Sequence, residues 1–199
     1  MVCAAWSGTC SPTPRVAGGV ELAELPAGPV AVAMPDPQAA RLLAVPDPVD
    51  CSPTISVACG FTGGPAGFGF RDAAFIHDHP DVEFLADDGA RRGDGAPVLV
   101  AHTTPERARQ HLDDPAAAVA PVVAALRELL HLPEPDWTHP HRWSLAKPTG
   151  QHGDSCTVLD VAGRPVGLAG DQWCPTGSPR VESAWRSGTD LGQALLARL

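Results

Sequence analysis

The chain has 199 residues, of which 44% are hydrophobic and 19% charged, a balance typical of a globular protein with a buried core. Its formal net charge of −9 argues against nucleic acid as a partner, because such binding requires a basic surface. No apolar run approaches the roughly 20 residues of a membrane helix, and the first ten residues do not resemble a signal peptide. We therefore expect a cytoplasmic protein that binds a small-molecule substrate, with neither nucleic acid nor membrane as a partner.

Two strands and a helix are predicted near the start of the chain. The stretch GPVAVAMPDPQAARLL (28–43) predicts a strand over VAVAM and then a helix with Asp36 as N-cap and Pro37 as its first residue. CSPTISVACGF (51–61) predicts a second strand. AAFIH and VEFLA on either side of DHPD predict a hairpin, DDGARRGDG (87–95) an exposed loop and PVLVAH (97–102) another strand.

The second half begins with a helical region. Thr104 and Pro105 have the order of an N-cap and a first helical residue, and Asp114-Pro115 repeats that pattern. Helical spacing then defines one buried stripe, formed by Val119, Val122, Val123, Leu126, Leu129 and Leu130. Pro121 should kink this helix or mark its effective start. HRWSLA (141–146) predicts a strand, CTVLDVAGRPVGLAGD (156–171) two strands joined by a tight turn, and the last helix should begin near Val181.

Potential metal ligands are present but are not spaced as a metal site requires. The six cysteines, at positions 3, 10, 51, 59, 156 and 174, form no CxxC pair. Two histidines and two aspartates lie within residues 77–81, but adjacent residues of one turn rarely converge on one ion. We therefore expect no metal, and reduced thiols as in other cytosolic proteins.

The junction between the last strand and the last helix is the strongest candidate for a binding site. An apolar run ends in Gly170-Asp171, and a Pro/Gly/Ser loop leads to the helix that begins near Val181. In α/β sheets, ligands bind outside the carboxyl ends of the strands. A helix N-terminus suits a phosphate or an electron-rich ring carbonyl, and a nearby carboxylate can accept from sugar hydroxyls. The pattern favours a pocket for a nucleotide-like cofactor, with a plain capped helix as the alternative.

Several stretches resemble one protein family. HRWSLA, GLAGDQW and PRVESAWRSGTDLGQALL, in that order, resemble the C-terminal end of renalase-like, FAD-dependent amine-oxidase-family proteins. VAVAMPDPQAARLL and PVLVAHTTPERARQHLDDP resemble the middle region, so the resemblance covers about residues 20–199. In that family the Asp of the Gly-Asp pair binds the ribityl or pyrophosphate region of FAD, and the following helix start approaches the flavin. The resemblance implies FAD contacts for Gly170, Asp171, Arg180, Val181 and Glu182.

The resemblance also implies a fold and an activity. The fold should be α/β (or α+β), with a mixed-sheet substrate domain (49–150) between a partial FAD-domain segment (1–48) and a C-terminal FAD-binding segment (151–199) of a Rossmann-like domain. The complete enzyme would transfer a hydride from an amine or reduced-nicotinamide type substrate to FAD and then pass electrons to oxygen. The family's GxGxxG turn is absent, so we expect the chain to begin inside the family fold. That segment could be carried on a separate chain. The alternative to an enzyme is a non-catalytic remnant or interaction module that has lost FAD.

Aromatic residues supply the candidate substrate site. Four of the five tryptophans, at 137, 143, 173 and 185, lie in the C-terminal third. A rigid aromatic surface can hold a planar substrate against a flavin ring, although tryptophans more often pack cores and interfaces. Trp143 belongs to the family-like HRWSLA strand and is the candidate active-site aromatic. His141 is the candidate polar group near the substrate.

Overall fold

The structure is a computed structural model that describes residues 28–64 and 67–198. It divides into two compact units: residues 1–51 with 147–199, called here the two-ended unit, and residues 52–146, the central unit. The first 27 residues of the predicted segment 1–48 lie outside the described residues, as do Cys3 and Cys10. The sequence predicts domain boundaries at 48/49 and 150/151, and the assignment of FAD and substrate to these domains stays a prediction.

The described residues form eight strands and five α-helices. The strands are β1 (Val30–Ala33), β2 (Cys51–Gly60), β3 (Ala73–Phe75), β4 (Val82–Asp87), β5 (Val98–Thr103), β6 (Trp137–Pro148), β7 (Thr157–Val161) and β8 (Arg164–Ala169). The helices are α1 (Asp36–Ala39), α2 (Asp88–Arg92), α3 (Pro105–Gln110), α4 (Val119–Leu130) and α5 (Val181–Leu196), with a 3-10 turn at Pro115–Ala118. None of the described helices is both long enough and apolar enough to span a bilayer.

The two-ended unit contains a three-stranded mixed sheet in the order β1-β8-β7. β1 runs parallel to β8, and β7 runs antiparallel to β8. A tight turn joins β7 to β8, and both of its central residues, Ala162 and Gly163, have positive φ, as a type I′ hairpin requires. Helix α5 packs on β8 at Gly167, where any Cβ atom would overlap the Leu191 side chain. This glycine therefore sets how closely the last helix approaches the sheet.

The central unit is a five-stranded sheet in the order β3-β4-β5-β2-β6. The pairs β3–β4, β4–β5 and β5–β2 are antiparallel. Side chains alternate along these strands, and one set packs with residues of α3 and α4 into an apolar core. That core includes Ile55, Val57, Leu85, Leu99, Val122 and Leu126. The helices thus cover one face of this sheet.

Most of the predicted elements are confirmed within the described residues. The strands, the β3–β4 and β7–β8 hairpins, and α5 from Val181 lie where the patterns placed them. Thr104 caps α3 as predicted, accepting from the Arg107 N–H at 3.2 Å. The α/β fold class is confirmed. The mixed sheet lies in the two-ended unit, whereas the pairs β3–β4, β4–β5 and β5–β2 of the central unit, where the mixed sheet was predicted, are antiparallel.

Two local predictions are wrong. Asp36 is not the N-cap of α1: Pro35 occupies that position, and the Asp36 side chain makes no cap hydrogen bond. Its carboxylate is buried and bonds to distant segments instead. Residues 87–95 are not simply an exposed loop, because α2 forms there. Asp87 caps this helix by accepting from the Ala90 N–H at 2.9 Å, and Gly93 ends it with a φ of 78°.

Candidate functional site at the carboxyl ends of β1 and β8

The parallel pairing of β1 with β8 brings two loops to one edge of the sheet. Ala33 is in register with Ala169, so the residues that follow each strand leave at the same edge. Gly170-Asp171 follows β8, and Met34 and Pro35 lead from β1 to Asp36. Ligands of open α/β sheets bind at such strand ends. The predicted Gly-Asp junction therefore occupies the position at which this class of sheet binds its ligands.

Asp171 is half-buried at this edge. Burial raises the pKa of its carboxyl group above the ordinary value, while hydrogen bonds from its own backbone N–H and that of Gln172 oppose the rise. No other hydrogen-bond partner of this carboxylate is found among the described residues. The pKa of the Cys51 thiol rises to about 11, first because the thiol is buried and next because Asp171 places a negative charge near it. The Asp171 carboxylate keeps free acceptor positions for a donor from a ligand.

The Gly170-Asp171 turn is held rigidly. The Gly170 N–H donates to Ser187 Oγ of α5 at 3.0 Å, and Ser187 is fully buried. Gln172 Nε2 donates to the Met34 carbonyl at 3.0 Å. A Cβ at position 170 would overlap the Gln172 side chain, so the close return of this side chain needs glycine there. These bonds connect the turn to α5 and to the end of β1.

A buried polar network surrounds Asp36. Its Oδ1 accepts from Gln172 Nε2 at 2.8 Å, and its Oδ2 accepts from the Val49 N–H at 2.9 Å and lies 2.6 Å from His152 Nε2. The Asp36 side chain is only 1% exposed and that of His152 9% exposed. The His152 ring stacks on Trp173, with ring centroids 3.6 Å apart and planes 11° apart. The carboxylate thus joins segments that are far apart in the chain.

A cavity of about 680 Å³ lies beside the N-terminus of α5. Its walls come from the loop after Trp173 and the first turns of α5, and they consist of Ser155, Trp173, Cys174, Pro175, Thr176, Gly177, Ser178, Arg180, Glu182, Ser183, Arg186 and Asp190. The structure thus brings predicted residues Arg180 and Glu182 to this cavity. Val181 is 89% exposed, and Gly170 and Asp171 are not among the wall residues.

The helix end at this cavity suits an anionic or carbonyl group. Arg180 is the N-cap residue, and its side chain has no acceptor with which to cap the first-turn N–H groups. Ser183 Oγ accepts from the Arg180 N–H at 2.6 Å, and Glu182 pairs with Arg186 at 2.6 Å. Trp173 is buried, and its Nε1 has no acceptor among the described residues. Uncapped N–H groups and an arginine on one cavity fit a phosphate or a flavin ring.

Trp143 and His141 belong to the central unit. They are two residues apart on β6, and their rings meet edge to face with centroids 4.4 Å apart. Trp143 Nε1 donates to Ser56 Oγ at 3.0 Å, yet 53% of the residue stays exposed. The two residues that the sequence assigns to the substrate site are therefore in contact with each other. Their catalytic role stays a prediction.

No group of three His, Cys, Asp or Glu side chains in residues 28–64 and 67–198 is placed to hold a metal ion. Of the turn residues at 77–81, His79 accepts through Nδ1 from the Asp81 N–H at 3.1 Å. This histidine is used to hold the turn between β3 and β4.

Comparison with known proteins defines a class of fold. No family model matches the chain. Several solved structures share its α/β fold. One of them is the crystal structure of a putative protoporphyrinogen oxidase from Exiguobacterium sp. 255-15, which matches 84% of this chain with a TM-score of 0.58 and 17% sequence identity. The chain spans 41% of the length of that protein, and at this identity the likeness concerns the fold alone.

Proposed function

We propose that this chain is part of an FAD-dependent oxidoreductase of the renalase-like, amine-oxidase type. The observation that carries the proposal is the two-ended unit's strand end: β8 stops at Gly170-Asp171, and the uncapped N-terminus of α5 borders a large cavity. The family-like motifs of the sequence fall on these same elements. The shared fold with an oxidase supports the class of protein without specifying the substrate.

Each predicted residue then has a physical role toward the cofactor. Asp171 accepts a hydrogen bond from a ribityl or ribose hydroxyl through the acceptor positions that the protein leaves free. Arg180 and the first-turn N–H groups at Val181 and Glu182 stabilise negative charge on a phosphate or a ring carbonyl. Gly170 allows the turn to close. The chemistry that bound FAD supplies is hydride acceptance from an amine or reduced-nicotinamide type substrate and reoxidation by oxygen.

The remaining parts of the proposal concern substrate, partner and compartment. Trp143 and His141 contact the small-molecule substrate. A segment with the GxGxxG turn, carried on a separate chain, completes the FAD site around the adenosine pyrophosphate. The protein functions in the cytoplasm, where Cys51, Cys59, Cys156 and Cys174, all free thiols here, stay reduced.

The test is an FAD titration followed by flavin fluorescence. It is run on the chain and on the chain fused behind a GxGxxG βαβ unit. Asp171→Ala should weaken FAD binding by about 10- to 150-fold, because it removes a charge-assisted hydrogen bond worth about 1.5–3 kcal/mol. Asp113→Ala is the matched control, since it removes an exposed aspartate from the loop before α4.

The two arms separate the possible failures. Absence of FAD binding in both arms would refute the proposal and favour an interaction module without cofactor. FAD binding that Asp171→Ala leaves unchanged would retain the flavoprotein class and remove Asp171 from the site. A lower melting temperature of the apo variant with unchanged affinity would make Asp171 a structural residue.

A further inference from the structure

His152 contacts a residue of the cavity wall without lining the cavity itself. Its ring stacks on Trp173, with ring centroids 3.6 Å apart and planes 11° apart. Its backbone N–H donates to the Gln172 carbonyl at 2.8 Å. Trp173 belongs to the wall of the cavity beside α5, whereas His152 and Asp36 are not among the wall residues. Trp173 therefore connects the cavity to the buried polar network of Asp36.

The stack on His152 is the contact that sets the plane of the Trp173 ring. The indole Nε1 has no acceptor among the described residues, so no hydrogen bond orients the ring. Trp173 also packs in the apolar cluster that includes Val32, Val166 and Leu168. Apolar contact buries a ring but has no preferred direction, whereas stacked rings have a preferred geometry. The orientation of this wall residue thus depends on the ring of His152.

The His152 ring is itself held in place by Asp36. Nε2 lies 2.6 Å from Oδ2 of Asp36, a carboxylate that is only 1% exposed. The Asp36 carboxylate also accepts from Gln172 Nε2 at 2.8 Å and from the Val49 N–H at 2.9 Å. A buried carboxylate with partners from three segments is rigid, and so is the ring that it bonds to. A series of contacts therefore runs from Asp36 through His152 to the cavity wall.

We propose that His152 is a positioning residue of the cavity, whose ring holds Trp173 at the wall while Asp36 holds the ring. His152 then strengthens ligand binding without touching the ligand, because a wall that is already ordered loses less entropy on binding. This inference rests on the proposed function, in which FAD binds at this cavity. It adds a residue that lies outside the family-like stretches of the sequence. If the stack were ordinary packing, His152 would contribute to stability and not to affinity.

Two substitutions separate the ring of His152 from its hydrogen bond. His152→Gln keeps an N–H donor near the position of Nε2 but has no ring, whereas His152→Phe keeps a ring and has no donor. FAD affinity is measured by the titration described above, in the form of the chain that binds FAD. His152→Gln should weaken FAD binding by about three- to tenfold, as expected for the loss of one aromatic pair, and His152→Phe by less than about twofold.

A Trp173→Leu background tests whether His152 acts through Trp173. Without an indole to hold, His152→Gln should have no further effect on FAD affinity. Trp185→Leu is the matched control background, because Trp185 lies in the same unit, is 76% exposed and is not a wall residue. In that background His152→Gln should keep its full effect. Equal losses in the two backgrounds, or an unchanged FAD affinity of His152→Gln, would overturn the inference.

A measurement without FAD separates this inference from the proposed function. Near-UV circular dichroism reports fixed aromatic packing, and the difference between a protein and its Trp173→Leu variant gives the band of Trp173. The same difference taken in His152→Gln should be smaller, and in His152→Phe it should be retained. If no form of the chain binds FAD, the proposed function fails, and the Trp173 band alone tests the inference. Equal bands in His152→Gln and His152→Phe would then overturn it.

Melting temperatures show whether each variant is folded. If His152→Gln does not melt cooperatively, His152→Met takes its place, because methionine and phenylalanine both lack the bond to Asp36 and differ in the ring. His152→Met should then bind FAD more weakly than His152→Phe and show the smaller Trp173 band. Equal affinities and equal bands of these two variants would show that the ring of His152 does not position Trp173.

Discussion

The two units of this chain build their interiors in different ways. The central unit buries alternate apolar residues of an antiparallel sheet under two helices, and Ile55, Val57 and Leu99 are fully buried there. The two-ended unit has only three strands, and its interior includes the charged Asp36 and the amide of Gln172. Apolar packing tolerates volume-conserving changes, whereas a buried carboxylate requires every one of its partners. The stability of the two-ended unit, which we propose binds the cofactor, therefore depends on a few specific contacts. The stability of the central unit, which we propose binds the substrate, depends on general apolar packing.

The largest expected effect comes from Asp36. Asp36→Ala leaves Gln172, His152 and the Val49 N–H without their shared acceptor. Losing one partner of a buried charged network should lower the free energy of unfolding by about 3–5 kcal/mol. Hydrogen exchange followed by mass spectrometry measures the loss of stability in each unit separately. Peptides of β1 and β8 should exchange faster, while those of β5 stay protected.

Asp154→Ala is the control for that experiment, because Asp154 is an exposed aspartate of the same unit. Equal exchange of β1 and β8 in Asp36→Ala and Asp154→Ala would show that the network contributes little to stability. Faster exchange throughout the central unit would show that the two interiors are not independent.

A somewhat smaller effect is expected from the central core. Leu126 of α4 is 1% exposed, and Leu126→Ala should lower the free energy of unfolding by about 2–5 kcal/mol through a cavity. Leu129 lies on the same stripe but is only partly buried, so Leu129→Ala should cost about 1–2 kcal/mol. Urea denaturation measures both values. A larger loss at position 129 than at 126 would mean that the buried face of α4 is assigned wrongly.

The smallest effect concerns pH and Asp171. Burial raises the folded-state pKa of this carboxyl group, so the folded state binds its proton more tightly than the unfolded state does. Its contribution to stability is therefore present at low pH and is lost as pH rises from the ordinary aspartate value to the raised one. Asp171→Asn removes this titration, so the variant should gain stability relative to the wild type as pH rises above about 4, the ordinary aspartate pKa. Thermal melts across this range measure the difference.

Asp113→Asn, at an exposed position, should follow the wild-type curve throughout. If Asp171→Asn also runs parallel to the wild type, Asp171 is not desolvated in the folded protein. A variant that loses stability as pH rises would show that a partner stabilises the carboxylate.

Local patterns in the sequence were sufficient for much of the fold. Alternation predicted β4 and β5, the stripe ending at Leu130 predicted α4, and the strand-loop-helix order located Gly170-Asp171. Helix α2 was missed although Asp87 and Gly93 are typical cap residues, because the charged and glycine-rich stretch between them favours a loop. At this stretch the cap residues determine the local structure, and the composition between them does not.

The site was less predictable because its contacts are long-range. His152 lies 116 positions from Asp36 and Gln172 136 positions away, so no local spacing links these three residues. The contacts of the Phe84 ring with Phe75 and His102 depend on the register of two strand pairs, which alternation alone does not determine. The sequence thus indicated the ends of the elements, and only the structure showed which ends meet.

The parallel pairing of β1 with β8 also has a consequence for synthesis. β1 ends at Ala33, and the strand that it pairs with ends at Ala169, so more than half of the chain must be translated before β1 has its neighbour. The central unit is continuous in sequence and has left the ribosome by that time. Because domains fold as units during synthesis, the central unit can fold first. β1 then stays without β8 until β8 has been synthesised. A truncation before β8 is complete would thus leave a folded central unit attached to a β1 that lacks β8, its partner among the described residues.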